Sequence, residues 1–208
     1  MPYVFRRRSL PKSRLVCMIG AALLATATVP AVAAAACPTT PTTQAFSRFG
    51  DTSAYTLASN GHFEAGTTGW SLTKAAVATG NESYKVRSSS DAKSLAIQPT
   101  GVAVSAPICV GVEHPNFRFF GRRTSGTWGV LNVKIRWTGS DGRTNETVVG
   151  SLSGDPYKSW LPTPKLPLAT TLPLWQSGQS LSVRLVFDPE DFGGAWSIDD
   201  VYVDPYRR

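Results

Sequence analysis

Between residues 180 and 187 apolar and polar side chains alternate. Leu181, Val183, Leu185 and Phe187 fall on one face, Ser182 and Arg184 on the other. This is the period of a strand with one buried face. Residues 195–204 repeat it with Trp196, Ile198, Val201 and Val203, and carry two adjacent carboxylates, Asp199 and Asp200. A carboxylate pair inside a strand is costly unless something holds it. Upstream, short runs of β type recur at 55–59, 70–73, 83–86, 94–97, 102–110, 117–120, 129–137 and 144–149, separated by turn residues such as Asn60-Gly61 and Gly139-Ser-Asp-Gly142. No helical period of useful length follows residue 43. The pattern predicts an all-β fold, an antiparallel sandwich or barrel. The Pro-rich segment 161–173 is excluded from any central strand, because each proline removes a ladder donor; it is expected as an irregular connection.

The start of the chain has a different character. Arg6, Arg7, Arg8, Lys12 and Arg14 precede a weakly apolar run to Val29 and a small-residue tail ending at Ala36. That order predicts a secretory leader over residues 1–36, an extension over 37–54 and one β-domain over 55–208. The leader changes the charge balance. The sequence holds 21 Lys+Arg and 14 Asp+Glu, but five of the basic residues and none of the acidic ones lie in the leader, leaving 16 against 14. Without a basic run in the remainder, nucleic-acid binding has no support.

Cysteine usage points to the same compartment. Cys17 falls in the leader, and Cys37 and Cys109 remain as a pair expected to form one disulfide in an exported chain. The alternatives are a buried free thiol at Cys109 with a frayed Cys37, or lipid anchoring at Cys37, although Ala34 stands where a lipoprotein signal prefers Leu.

Three short motifs carry a resemblance. Asn60-Gly-His-Phe-Glu64, Gly69-Trp70 and the closing Ser197-Ile-Asp-Asp-Val-Tyr-Val203 resemble the galactose-binding-like jelly roll, within it the carbohydrate-binding modules of the family 4, 9 and 22 kind. The chain as a whole also resembles small secreted actinobacterial proteins of uncharacterised function, in which Cys109-Val-Gly111, His114-Pro115 and Phe117-Arg-Phe-Phe120 precede the same ending. The resemblance implies first and last strands side by side, a polysaccharide or cell-surface glycan as partner, and one structural Ca²⁺ held by Glu64 and one of Asp199 or Asp200. Calcium takes six to eight oxygens, so carboxylates and carbonyls at such a junction suit it. The alternative is that Glu64 and Asp199 simply accept backbone N–H bonds with no metal.

The faces opposite the core supply the candidate ligand site. In 131–137 the apolar set is Leu131, Val133, Ile135 and Trp137, and the other face presents Asn132, Lys134 and Arg136. Arg118 and Phe120 in the 117–120 run, and Arg184 in the 180–187 run, face away from their own apolar neighbours. If these strands share a sheet, they form a cationic platform able to donate to sugar hydroxyls or carboxylates. A solvated sheet face carrying ordinary Lys and Arg is the alternative. Trp128, Tyr157, Trp160 and Trp175 are expected at a loop rim, with Trp128 the most exposed, whereas Trp70 and Trp196 are assigned to the core.

No catalytic constellation stands out. His62 and His114 lie in turns without a nucleophile motif, and Asp155, Glu190 and Asp191 are acids with nothing to single them out. The expected function is therefore non-catalytic glycan binding. A structural or protein-interaction module of the cell surface is the alternative, and a hydrolase the third reading.

Overall fold

The computed structural model describes residues 37–174, 178–190 and 194–205. The expected leader, Trp175 and Asp191 lie outside the described residues. The strands are β1 (Thr56–Leu57), β2 (Ser71–Thr79), β3 (Lys93–Val104), β4 (Ile108–Gly111), β5 (Asn116–Arg123), β6 (Val130–Thr138), β7 (Thr144–Ser153), β8 (Leu161–Pro162), β9 (Leu166–Pro167), β10 (Ser180–Pro189) and β11 (Trp196–Val203). Every pairing is antiparallel, in the order β7-β6-β10-β3-β11-β5-β8, with β1 on β11, β2 on β3, β4 on β10 and β9 on β5.

The bend that turns this sheet into two layers lies in β3. Its first half pairs with β11, Ile97 opposite Trp196, and its second half with β10, Ala103 opposite Phe187. Between the halves Thr100 has φ +60°, and the partner strand β2 shifts register where Lys74 has φ +46°. A Cβ at Gly101 would stand 2.6 Å from the Lys74 carbonyl oxygen, so the two backbones approach this closely only around glycine. The layer β7-β6-β10-β4 thereby folds over β1, β11, β5, β8 and β9.

The main core lies between the layers and is built from the predicted alternation: Leu131, Val133, Ile135, Val183, Leu185 and Phe187 from one side, Phe117, Phe119, Trp196, Ile198, Val201 and Val203 from the other. Trp70 and Trp196 are both buried, as expected. β1 pairs with β11, which places the opening and closing motifs side by side. The Cys37–Cys109 disulfide is formed (S–S 2.06 Å), joining the start of the described chain to β4.

Three sequence expectations are corrected. Residues 83–86 form turns rather than a strand, because the Glu82 carboxylate takes the amides of Tyr84 and Val86, both at 2.5 Å, and holds the backbone out of any ladder. The 161–173 segment contributes two two-residue strands to the edge beside β5 and a 3₁₀ turn at Ala169–Thr171, with the rest irregular. The 37–54 stretch is more than an extension. It lays Phe46 onto the outer face of β5 and β11, stacked on Phe120 at 5.4 Å and edge-on to Tyr202 and Tyr55, to build a second aromatic cluster.

Candidate functional site

The outer face of β7, β6 and β10 is the solvated face of its layer. β6 sets it out in register: Arg136 opposite Arg184, Lys134 opposite Val186 and Asn132 opposite Asp188 on β10, with Glu146 opposite Arg136 on β7. The charges are interlinked. Lys134 Nζ contacts Asp188 Oδ2 at 2.5 Å and Glu146 Oε1 at 3.6 Å, which, led by the Asp188 bond, holds its ammonium above its usual pKa. Arg136 donates through Nε and Nη2 to Glu146 Oε2, both at 2.7 Å. Asn132 donates to Glu190 Oε1 at 3.0 Å and accepts from Ser151 at 2.7 Å. Arg184 donates to the Ser105 carbonyl at 2.7 Å and meets no carboxylate among the described residues.

At one end this face opens into a groove of ≈ 390 Å³ walled by Pro107, Arg136, Trp137, Thr138, Thr144, Ser182 and Arg184. A second hollow of ≈ 520 Å³, bounded by the 139–141 turn and residues 170–173, lies across Trp137, which lines both. At the other end of β6 the 126–129 loop presents Trp128 at 78% exposure. The loop's base is fixed: Thr124 donates to the Ala195 carbonyl, Ala195 donates back to Ser125 Oγ, and a Cβ at Gly194 would collide with the Ser125 carbonyl at 2.0 Å. Trp128 and Trp137 are nine residues apart, and an extended chain rises ~3.3 Å per residue, so they mark the ends of a polar track on the order of 30 Å long.

Of the predicted ligand residues, Asn132, Lys134, Arg136 and Arg184 come together here, with Trp128 at the margin. Arg118 and Phe120 do not. The platform assumed that β5 adjoins β6 and β10, whereas β5 belongs to the other layer, next to β11. Arg118 is 8% exposed, lies over the Phe46 ring at 4.4 Å, and donates to the Thr163 carbonyl and to Asp51, both at 2.7 Å. Phe120 is fully buried under Phe46. Tyr157 and Trp160 are likewise buried rather than at a rim. Trp137 is the residue sequence reasoning missed. Its parity assigns it to the core, against which it packs half-buried, and from the end of β6 it also lines both hollows; the adjacent Gly139-Ser-Asp-Gly142 turn was the available signal.

A second feature is acidic and enclosed. Glu82, Asp91, Asp199 and Asp200 are all buried around the β11 bulge. Asp91 is paired by Arg87. Asp199 Oδ2 accepts the Glu82 amide at 2.9 Å and its Oδ1 the Asp200 amide at 2.8 Å. Asp200 sits at φ +48° with no hydrogen-bond donor on either carboxylate oxygen. Burial, then the neighbouring Asp200, pushes Asp199 up to about 9. Burial, then Glu82 and Asp91, pushes Asp200 up to about 7, an effect that Arg87 only partly offsets from outside hydrogen-bonding geometry.

Glu64, expected beside Asp199 or Asp200 at a metal, has backbone partners of its own. Glu64 Oε1 accepts the amides of Ala92 and Lys93 at 2.8 Å, which fixes it to the start of β3. Among the described residues the one set of three metal-capable side chains within 4.8 Å of one another is Cys37, Glu113 and His114, and its sulfur is bound in the disulfide. Asp200 is an orphaned buried carboxylate, while the oxygens of neighbouring Asp199 and Glu82 accept backbone amides. Both histidines make local turn contacts, His62 Nδ1 accepting the Glu64 amide and His114 Nδ1 the Gly111 amide.

No protein-family model matches the chain, and no curated protein matches it. Solved structures share its fold. The N-terminal CBM22-1–CBM22-2 tandem domain of Paenibacillus barcinonensis Xyn10C superposes with a TM-score of 0.50 at 15% identity, over 73% of this chain and 44% of that one. The single CBM22-1 xylan-binding domain of the same enzyme gives 0.48 at 15%, over 69% and 90%. TmCBM61, solved with β-1,4-galactotriose, gives 0.42 at 16%, over 71% and 96%. The chain thus shares a jelly-roll β-sandwich fold with the CBM22 tandem. This chain spans less than half the length of the tandem.

Proposed function

We propose that this chain is a secreted, non-catalytic glycan-binding module whose site is the outer face of β6, β7 and β10. The observation that carries the reading is the track from Trp128 to the Trp137 groove: an exposed ring at one end, a half-buried ring lining the groove at the other, and between them donors and acceptors fixed by mutual ion pairs. Aromatic faces stack on sugar rings, and pre-positioned Arg, Lys and Asn groups bond hydroxyls without having to be ordered first. The jelly-roll fold and the disulfide are in keeping with an extracellular role, and among the described residues no helix is long and apolar enough to cross a membrane. The test is affinity electrophoresis through gels cast with xylan, β-1,4-galactan, β-glucan or pectic polysaccharide. One class should retard the protein, and Trp137→Ala or Trp128→Ala should weaken retardation at least tenfold with the melting temperature of Trp128→Ala unchanged. Free migration in every gel would move the reading to a protein partner, for which Val148, 53% exposed on the edge strand β7, is the apolar contact.

We further propose that calcium binds at Asp200, with Asp199 and Glu82 as the neighbouring carboxylates. A bound divalent cation would supply charge neutralisation, and so stability, to an otherwise uncompensated buried acid. Its readout is the melting temperature with calcium against chelator.

A further inference from the structure

We infer that the glycan taken by the β6–β10 groove is acidic, its carboxylate seated between Arg136 and Arg184. The inference rests on the glycan-binding reading and specifies the substrate class.

Arg136 and Arg184 are direct cross-strand partners. Like charges placed opposite each other on a sheet repel, so such a pair is destabilising unless an anion lies between or beside it. Glu146 supplies one carboxylate, and the register places it on the far side of β6: it is opposite Arg136 across β7 and takes both Arg136 Nε and Nη2 on a single oxygen. That same carboxylate is also shared with Lys134. On the β10 side Arg184 receives only a neutral acceptor, the Ser105 carbonyl, from Nη1. Among the described residues the groove lining adds Pro107, Trp137, Thr138, Thr144 and Ser182 and no acid. Two guanidiniums and a fraction of one carboxylate therefore face the groove.

The opposite end of the track carries the reverse balance. Asp188 and Glu190 lie there, with Lys134 and Asn132 as their partners. The track is close to neutral as a whole but graded along its length, positive at the Trp137 end. A uronate residue meets this gradient: its planar carboxylate suits paired N–H donors on guanidinium, and its pyranose face suits Trp137. A neutral sugar would satisfy the hydroxyl donors and leave the Arg136–Arg184 repulsion in place.

The experiment compares polygalacturonate with its fully methyl-esterified form, which keeps the same backbone and replaces each carboxylate by a neutral ester, by titration calorimetry in chelator, with neutral xylan and β-1,4-galactan as further arms. Polygalacturonate should bind at least tenfold more tightly than the ester, and the preference should shrink as salt rises from 50 to 300 mM, as a screened ionic contact requires (about 10 Å Debye length at 0.1 M). Arg184→Ala should abolish the preference. Arg184→Gln keeps a donor for the Ser105 carbonyl, so its loss of preference in a normally melting protein separates ligand recognition from folding. Equal binding of acid and ester, or of a neutral polysaccharide with Arg184→Gln unaffected, overturns the acidic class while leaving the module reading intact. Tighter binding of a sulfated galactan than of polygalacturonate overturns the carboxylate assignment. Absence of binding in every arm overturns both.

Discussion

At the residue scale the two buried aspartates define a measurable sign. Ionised Asp titrates near 4 in an unfolded chain, whereas burial holds Asp200 protonated to about 7 and Asp199 to about 9. Between those limits the folded state binds more protons than the unfolded one, so stability is full below about pH 4 and declines as pH rises through 7 towards 9. In chelator the melting temperature should therefore fall across pH 5–9. Asp200→Asn should flatten the lower part of that slope and raise stability at pH 8 by about 1–3 kcal/mol, since Asn tolerates the left-handed backbone found there. Calcium would reverse the sign by favouring the ionised form: added to wild type at pH 8 it should raise the melting temperature, and in Asp200→Asn it should not. A flat profile in chelator would remove the buried-acid account. Arg118 makes the contrasting case. It pairs with a half-buried Asp51 that burial would raise but that bonds from Tyr55, Arg118, Lys165 and Ser53 hold well below the usual carboxylate range. Arg118→Ala should cost about 3–5 kcal/mol in thermal or urea unfolding and leave glycan affinity unchanged; altered affinity in a stable variant would return Arg118 to the ligand site.

At the element scale the strands were legible because period-two alternation is dictated by a sheet with one dry face. The residues 131–137 and 180–187 show it, and both place their apolar sets in the core. The 83–86 run misled because its local pattern is β-like while its hydrogen bonds go to a single carboxylate, that of Glu82. The disulfide was legible from cysteine arithmetic alone, and it closes a span of 72 residues between the N-terminal segment and β4. In the chain-entropy treatment such a loop contributes about 4 kcal/mol. Cys37→Ser should lower the urea midpoint accordingly without changing glycan binding, since the disulfide borders a different hollow, one of ≈ 150 Å³ lined by residues such as Leu57 and Ile108.

At the scale of the whole molecule, the sequence by itself determined the fold class, the core-facing sets of 131–137 and 180–187, and the disulfide partners. These are consequences of local periodicity and of residue types with few chemical options. The tertiary structure decided which strands are neighbours. β5 and β6 are consecutive in the chain and carry similar patterns, yet the bend in β3 sends them to opposite layers. That fact separates Arg118 and Phe120, which Phe46 then covers, from Asn132, Lys134, Arg136 and Arg184, which stay together. It also decided that Glu64 caps the start of β3 while Asp200 stands without a partner, and that Trp137, packed against the core, also lines two hollows. Alternation fixes which way a side chain points from its own strand; what it meets there depends on long-range pairing, which no local pattern encodes.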